Sequence, residues 1–333
     1  MSGRVKVGVV GAGSLGYHHV RLLRDLLGGD FVGFHERSAE RAKQVAGELG
    51  VHAFDTLDAL VDAVDAVSIV TSTTAHYATA RAAIERGKHV FIEKPITVTL
   101  AEADELLALA ESKGVMIQVG HVERFNRAMR AALPYVAAPR FIESDRLAPF
   151  SPRGSDVAVV LDLMIHDIDL VLTLTGSDVA HVEAIGVNVL TPMIDIANAR
   201  LTFASGAVAN ITASRVSRSR TRKLRLFQPT GYITLDLGAG NGEFYRMRDG
   251  LDLAAMTKGP VAMDAFVERV PLEAPEGEPL KLEFESWLAA LRGAGPLLVT
   301  GRAGRQALDV ALRVMREIER MMPAVPVPVV PGA

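Results

Sequence analysis

The sequence predicts an α/β protein in which a doubly wound parallel sheet is followed by an α+β domain with an open, mainly antiparallel sheet. Two observations carry this prediction. Through the first third of the chain, short Val/Ile-rich runs alternate with longer segments of helical period, and from Phe141 onward alternating, β-rich runs follow one another. The 333 residues are enough for two domains. We expect these domains at 1–122 and 123–322, with a frayed Pro/Val-rich tail at 323–333.

Each element follows from its local pattern. Strands of the first domain are expected where apolar residues run together, at 5–10, 31–34, 66–70, 90–92 and 115–119. Helices are expected where the period changes to 3.6 residues, at 14–27, 38–49, 76–86 and 100–112. Alternation predicts strands of the second domain at 182–189, 199–203, 208–213, 223–227 and 232–235, with Ser205-Gly206 as a hairpin turn. A final helix at 301–322 is a candidate to pack on the first domain.

Composition excludes several classes of protein. The chain has no cysteine, which rules out disulfides, thiolate ligands and cysteine nucleophiles. A formal net charge of −3 gives no reason to expect nucleic acid or an acidic membrane surface as a partner. The longest apolar run, 157–165, is broken by Asp162 and is far shorter than the roughly 20 residues of a membrane span, so we expect none. The first residues do not resemble a signal peptide, and we expect a cytoplasmic protein.

A glycine-rich turn follows the first predicted strand and opens the first helix. In Gly11-Ala12-Gly13-Ser14-Leu15-Gly16, the first glycine permits a tight turn, the second lets the backbone approach a pyrophosphate, and the third lets helix and strand pack closely. Backbone N–H groups at the start of the helix, those of Ser14 and Leu15 among them, suit the anion. In this context the turn predicts a Rossmann domain that binds a dinucleotide, against the alternative of an ordinary glycine turn.

Glu36 stands at the end of the second predicted strand, 20 residues after Gly16. A carboxylate there accepts hydrogen bonds from the ribose hydroxyls of the adenosine and repels a 2′-phosphate, which favours NAD over NADP. Arg37 comes next and could hold a 2′-phosphate, so NADP stays open as the less favoured cofactor. The alternative interpretation of these two residues is a solvated pair in a loop.

Two further motifs carry groups suited to oxidoreduction. Glu93-Lys94-Pro95 follows a predicted strand, where an ammonium group could reach a reacting centre, although a surface ion pair before a proline has the same pattern. In the second domain, Asp162 and His166 are four residues apart in a helical stretch and are expected to share a face. Histidine titrates near neutral pH, as a general base for alcohol oxidation requires. The alternatives are a structural histidine or a metal pair, and since no third ligand is evident we expect no metal.

The three motifs, in this order, resemble the Gfo/Idh/MocA oxidoreductase family over essentially the whole chain. The resemblance implies that the glycine fingerprint binds NAD(P) and that Lys94 lies beside the nicotinamide, with Glu93 at the cofactor. It also implies that Asp162 and His166 supply sugar-binding and catalytic groups. Asp169 is the last carboxylate of the same family motif. Met164 stands where the family has a glycine. The segment Thr71-Ser72-Thr73-Thr74-Ala75-His76 resembles the family's cofactor-lining loop and adds Thr71, Thr73 and His76 as cofactor candidates. The resemblance also makes Lys94-Pro95 a candidate cis peptide bond.

The segments 120–126 and 146–153 resemble those of the family branch that oxidises nucleotide sugars. Within that branch, the resemblance is to enzymes that convert UDP-N-acetylglucosamine to its 3-keto form. In some lipid A pathways a partner aminotransferase then uses this product. The substrate-binding candidates are Arg124, Asn126, Arg153, Asp162 and Arg215. Inositol, another sugar or a UDP-hexuronate could occupy the same pocket, and a regulator that senses NAD without turnover is the candidate from a different class.

Three smaller expectations complete the analysis. The basic residues between Arg215 and Arg225 suit a diphosphate, a charged strand edge or, least well, a nucleic acid. Phe284 and Trp287 are expected in the core. A large open sheet face would expose an apolar patch, which predicts a homodimer or homotetramer.

Overall fold

The computed structural model describes residues 3–152, 154, 156–248 and 266–321. The described chain forms two compact units. The first consists of residues up to Phe125 together with Glu276–Asp309, and the second of Asn126–Pro275 together with residues from Val310 onward. The predicted tail at 323–333 lies outside the described residues.

Helices in the described ranges begin and end at clear local signals. They are α1 (Ser14–Leu27), α2 (Ala39–Leu49), α3 (Leu57–Ala63), α4 (Thr73–Glu85), α5 (Leu100–Lys113), α6 (Arg127–Ala132), α7 (Ile165–Thr175), α8 (Pro279–Leu291) and α9 (Gly301–Met321). Helix α5 is an example, because Thr99 and Glu102 form a reciprocal capping box at its start and Gly114 ends it in the left-handed conformation. No helix in these ranges is long and apolar enough to span a membrane.

The sheet of the first unit contains, among the described residues, six parallel strands. They are β1 (Val7–Val10), β2 (Phe31–His35), β3 (Ala53–Phe54), β4 (Ala66–Ile69), β5 (His89–Glu93) and β6 (Ile117–Gly120). Their order is β3-β2-β1-β4-β5-β6 and every pairing is parallel. The order reverses direction between β1 and β4, so the carboxyl ends of these strands flank the crevice in which doubly wound sheets bind ligands.

Aromatic side chains from β5 and α8 form part of the core of the first unit. Phe284 and Trp287 are both fully buried, which confirms their prediction as core residues, and their rings lie 5.3 and 5.5 Å from that of Phe91. Helix α8 therefore packs within the first unit although it lies more than 150 residues beyond β6 in the chain. Helix α8 and the short β3 and α3 were not predicted from the sequence.

The second unit is built on an eight-stranded sheet in the part of the chain that is described. Its strands are β7 (Phe141–Leu147), β8 (Val179–Val187), β9 (Ile196–Phe203), β10 (Val208–Ser214), β11 (Thr221–Gln228), β12 (Gly231–Asp236), β13 (Asn241–Met247) and β14 (Val267–Leu272). The order is β14-β13-β12-β11-β7-β10-β9-β8, and β7 with β10 is the parallel pair in an otherwise antiparallel sheet. The predicted fold class, a parallel Rossmann sheet followed by a mainly antiparallel one, is confirmed.

One face of this sheet is covered and the other is open. Helix α6 packs on β12, β13 and β14, and α7 packs on β7 and β10. The expectation of an apolar open face is wrong, because alternation along the strands turns mostly polar side chains outward, among them Glu143, Asn198 and Lys223. Apolar side chains on this face include a row of stacked rings across four strands, formed by Phe141, Phe227, Tyr232 and Tyr245.

Candidate active site

The glycine turn between β1 and α1 has the close contacts that the sequence predicted. Gly11 has a φ of +94°, and a Cβ added there would lie 2.8 Å from the Val70 carbonyl oxygen. A Cβ on Gly16 would lie 2.2 Å from the carbonyl oxygen of Gly11, whereas one on Gly13 would meet nothing within 4 Å. Gly13 is also the N-cap of α1 and brings no side chain to its first N–H groups. The turn thus keeps open space where a pyrophosphate would approach the helix, and the residues fit a dinucleotide.

Glu36 lies directly against this turn. Its Oε2 accepts a hydrogen bond from the Ala12 N–H at 2.7 Å, and its Oε1 accepts one from the Ser38 N–H at 3.0 Å. A carboxylate has further acceptor sites beyond these two bonds, so it can also take ribose hydroxyls. Arg37 is exposed.

Arg41 contacts the same glycine turn, and this contact was not predicted from the sequence. Its Nε donates to the Ala12 carbonyl oxygen at 2.8 Å, and its guanidinium lies 5.7 Å from the centre of the Tyr17 ring. Its position three residues after Ser38, the N-cap of α2, is the signal that could have located it near the glycine turn.

His76 links the loops that follow β4 and β5. Its Nδ1 lies 2.9 Å from the Pro95 carbonyl oxygen and its Nε2 lies 3.3 Å from that of Thr71. The side chain is almost fully buried, and burial lowers the pKa of His76 below its ordinary value, although the nearby Glu93 opposes this. Thr73 is the first residue of α4. A neutral imidazole has one N–H and both neighbours are carbonyl oxygens, so His76 donates a hydrogen bond to one of them and lies against the other.

Glu93 and Lys94 lie where β5 ends. The Glu93 carboxylate is buried, and its Oε2 accepts a hydrogen bond from the Lys94 N–H at 3.3 Å. Its Oε1 lies 3.1 Å from Nε2 of His19, a fully buried histidine on α1 that sequence reasoning also missed. Lys94 is half-buried, and the Lys94-Pro95 peptide bond is cis, which confirms the expected isomer.

In the second unit, the Asp162–His166 segment is not a continuous α-helix. Val160–Met164 forms a π-helical turn and α7 begins at Ile165. A π turn bonds residues five apart, so α-helical spacing applies only from Ile165 onward, and the shared face of Asp162 and His166 stays a prediction. Asp162 and His166 are both half-buried, and π turns of this kind are frequent at functional sites.

The carboxylates after His166 face the interior of the second unit. Asp167 accepts hydrogen bonds from Nε of Arg146 at 2.5 Å and from Oγ of Ser144 at 2.8 Å, and both partners belong to β7. Asp167 is about 1% exposed and Arg146 about 3%, so this is a buried ion pair that holds the first turn of α7 on the sheet. Asp169 is equally buried. The sequence analysis assigned no role to Asp167 or Arg146.

Arg215 holds the segment that precedes the π turn. Its Nη1 donates to the Gly154 carbonyl oxygen at 2.5 Å and its Nη2 donates to that of Val157, while its Nε lies 3.7 Å from Oδ1 of Asp195. A Cβ on Gly154 would lie 3.1 Å from Oδ2 of Asp162, so the segment that Arg215 holds touches that carboxylate. Arg215 is buried and both of its Nη groups donate to backbone carbonyl oxygens, so it has a structural role in its own unit. Its predicted substrate contact stays a prediction.

Asn126 also has partners within its own unit. Its Nδ2 donates to the Leu237 carbonyl oxygen at 2.8 Å, and its Oδ1 accepts from the Ala128 N–H as the cap of α6. This use of both amide atoms makes the side chain a structural cap rather than a substrate contact. Arg124 is half-buried, and its Nη1 donates to the Leu298 carbonyl oxygen at 3.2 Å. Arg153 lies outside the described residues.

The predicted basic cluster is not one surface. Arg215 is buried, whereas Arg225 lies on the open face of the sheet, paired with Glu143 at 3.0 Å and stacked over Phe227. No group of three or more His, Cys, Asp or Glu in the described ranges is placed to hold a metal ion.

A Rossmann sheet with this glycine turn and Glu36 defines a dinucleotide-binding protein, and comparison with known proteins identifies it as an oxidoreductase. Residues 5–121 match the family model described as the oxidoreductase family, NAD-binding Rossmann fold, and residues 136–234 match the GFO/IDH/MocA C-terminal domain. The chain belongs to the Gfo/Idh/MocA oxidoreductase family, and its cofactor is NAD.

Two curated relatives and one solved structure illustrate the similarity. The chain is 37% identical to the UDP-N-acetylglucosamine 3-dehydrogenase of Acidithiobacillus ferrooxidans, over 96% of this chain and 98% of that protein. It is 31% identical to the scyllo-inositol 2-dehydrogenase (NAD(+)) of Bacillus subtilis, over 65% of this chain and 69% of that protein. A structure of the Acidithiobacillus enzyme superposes with a TM-score of 0.86, covering 95% of this chain and 98% of that one.

Proposed function

We propose that this protein oxidises the 3-hydroxyl of UDP-N-acetylglucosamine to the 3-keto sugar nucleotide with NAD. The observation that carries the proposal is the 37% identity to a UDP-N-acetylglucosamine 3-dehydrogenase, which extends over 96% of this chain and 98% of the relative. Similarity over both domains includes the substrate domain, whereas a shared Rossmann domain alone would support only the cofactor. The presence of Lys94 and His166 favours an enzyme over a regulator that binds NAD without turnover.

In the proposed mechanism each residue acts on one part of the hydroxyl group. NAD, when bound, accepts the hydride from the carbon that carries the hydroxyl. His166 takes the hydroxyl proton as general base. The Lys94 ammonium stabilises the negative charge that develops on the oxygen, and Asp162 orients the sugar or the histidine.

The remaining site residues are proposed as cofactor and substrate contacts. The backbone of Gly11, Gly13, Ser14, Leu15 and Gly16 would hold the pyrophosphate, and Glu36 the adenosine ribose. Thr71, Thr73, His76 and Glu93 would line the cofactor, with Arg37 at its adenosine end. Arg124 and Arg153 remain proposed substrate contacts. Asn126 and Arg215 are proposed to support the substrate site indirectly, by holding nearby backbone in place.

The test is NADH formation, followed by absorbance, on mixing the protein with NAD and a panel of UDP-sugars and free polyols. A 2-oxoglutarate-dependent aminotransferase in the mixture removes any 3-keto product, because oxidation of an alcohol by NAD is uphill near neutral pH. We expect NADH with UDP-N-acetylglucosamine. The similarity to an inositol dehydrogenase makes cyclitol oxidation the second candidate, and NADH formed only with inositol would select it. NAD binding with no turnover on any sugar would favour the regulator.

Matched variants test the assigned roles. His166→Asn is expected to lower kcat by about 10²- to 10⁴-fold with NAD binding unchanged, as removal of a general base does. The control is His181→Asn, which changes an exposed histidine of the same unit. Lys94→Met is expected to lower kcat as well, and its control is Lys113→Met at the exposed end of α5. Equal rates for a variant and its control would contradict the assigned role.

The wider setting is part of the same proposal. A 3-keto sugar nucleotide suits a partner aminotransferase that would make the 3-amino sugar for lipid A, and the cytoplasmic location expected from the sequence is retained. Although the open sheet face is mostly polar, we propose a homodimer or homotetramer that forms through its row of aromatic rings. Light scattering would test this, since Phe227→Lys should dissociate an assembly formed through that face and leave one formed elsewhere intact.

A further inference from the structure

His19 is a fully buried polar side chain placed between two strands that carry proposed cofactor residues. Its Nδ1 lies 2.8 Å from Oγ of Ser68 on β4, and its Nε2 lies 3.1 Å from Oε1 of Glu93 on β5. The ring also packs against Phe91 and Phe284, at 5.8 and 5.0 Å between centres. An apolar side chain would satisfy this packing alone, so the two polar contacts distinguish the histidine.

The chemistry of the partners orients the imidazole. An ionised carboxylate has no proton to donate, so the ring nitrogen that faces it, Nε2, carries the proton and meets Glu93 in a polar contact at 3.1 Å. Nδ1 of a neutral ring is then an acceptor, and the Ser68 hydroxyl can donate to it. Ser68, His19 and Glu93 thus form a chain of polar contacts that runs from β4 through α1 to the end of β5.

Glu93 is held as an anion by its neighbours. Burial acts to raise the pKa of Glu93, but the contact with the His19 imidazole and the nearby Lys94 ammonium outweigh it, so the pKa lies below its ordinary value. The carboxylate also has little room, since a Cβ on Gly120 of β6 would lie 2.7 Å from Oε1.

The other carboxylate oxygen reaches the catalytic candidate. Oε2 of Glu93 accepts the backbone N–H of Lys94 at 3.3 Å, so the residue that carries the ammonium is tied to the same buried anion. We propose that His19 is a positioning residue for the oxidation, acting through Glu93 to fix the backbone and the local charge at Lys94. The inference rests on the proposed function, in which Lys94 acts on the substrate oxygen.

The first test separates kcat from cofactor binding. His19→Phe keeps an aromatic ring and removes both polar contacts, and we expect kcat to fall by about 10- to 100-fold while the Kd of NAD changes by less than about threefold. His18→Phe makes the same substitution at an exposed neighbour and should leave kcat unchanged. His19→Gln can still donate to Glu93 and should recover most of the loss.

A double-mutant cycle tests the route through Glu93. If His19 acts only through that carboxylate, His19→Phe combined with Glu93→Gln should be no slower than Glu93→Gln alone. Losses that multiply would overturn the proposal, because a histidine that merely supports the core would add its own effect. A normal kcat for folded His19→Phe would overturn it as well.

A readout that does not need turnover separates this proposal from the proposed function. Reductive ¹³C-methylation of lysines keeps their charge, and the Lys94 methyl resonance is identified by its absence in Lys94→Met. The resonance should shift in His19→Phe and stay in place in His18→Phe. An unchanged Lys94 resonance in His19→Phe overturns the positioning role even if no sugar is oxidised. A shifted resonance in His19→Phe together with full activity of Lys94→Met overturns the function assigned to Lys94 and leaves the positioning role of His19 intact.

Discussion

Asp195 is a buried carboxylate whose ionisation the second unit depends on. Its Oδ2 accepts hydrogen bonds from the backbone N–H groups of Val189, Leu190 and Thr191 at 2.8, 2.6 and 2.8 Å, and its Oδ1 accepts one from the Thr191 hydroxyl at 2.8 Å. Burial alone would raise the pKa of Asp195, but these hydrogen bonds outweigh it and lower the pKa to about 2 from an ordinary value of 3.8. The folded state therefore strongly favours the charged form.

The magnitude follows from this difference. A separation of about 1.8 pKa units corresponds to about 2.4 kcal/mol of folding stability. Because the folded pKa is depressed, this contribution is fully present above the unfolded pKa and is lost as the pH falls through the folded pKa. Asp195→Asn cannot ionise, so it should be less stable than the wild type by about 2 kcal/mol at pH 7 and by only about 1 kcal/mol at pH 3.

The assay is urea unfolding at several pH values between 7 and 3, followed by circular dichroism. The control is Asp145→Asn, which neutralises an exposed carboxylate of the same unit and should change stability by no more than about 0.5 kcal/mol. A loss of stability in Asp195→Asn that is the same at every pH would refute the reasoning, because it would come from packing and not from ionisation.

Three further predictions concern the cofactor turn and the second unit. Gly16→Ala should lower both the Tm and the NAD affinity, because its Cβ would lie 2.2 Å from a carbonyl oxygen. A Cβ at Gly13 would meet no atom within 4 Å, so Gly13→Ala should leave the Tm unchanged and weaken NAD binding, measured by calorimetry, about tenfold. Arg146→Met leaves Asp167 buried as a single charge and should cost about 3–5 kcal/mol in urea unfolding, a loss below 1 kcal/mol being contrary to a buried pair. Glu36→Ser should raise the ratio of NADP to NAD turnover at least about tenfold, and an unchanged ratio would remove Glu36 from cofactor selection.

The fold was predictable because local and global signals agree in the first unit. Helix α1 begins at Ser14 and ends at Leu27 as predicted, because the glycine turn and the loss of helical period both mark its ends. The hairpin at Ser205-Gly206 likewise needs a positive φ, which Gly206 supplies at +80°. Strand β3 was missed because its local signal is weak: it has two residues, and its place beside β2 is set by sheet pairing that a short sequence window does not contain.

The supporting residues of the site could not be predicted for a different reason. His19 has its polar partners 49 and 74 residues away, and on its own helix it fits the pattern of a residue that faces the core. Asp195 lies in a loop, where an aspartate is ordinarily a solvated turn residue. In both cases the chemistry of one residue is decided by burial and by partners brought together only by the tertiary fold.

The Asp162–Asp169 segment shows where spacing helps and where it misleads. Four residues separate Asp162 from His166, which on an α-helix would pair them, but the turn that contains Asp162 is a π-helix. The adjacent Asp167 looks equally suited to catalysis in the sequence, yet Arg146 and Ser144 of β7 bind it inside the protein. Spacing therefore identifies which residues can be neighbours, while the position of the sheet decides which carboxylate is fully buried as a support and which is only half-buried. Arg146 belongs to a strand that a helical pattern cannot report, so the distinction between Asp162 and Asp167 required the structure.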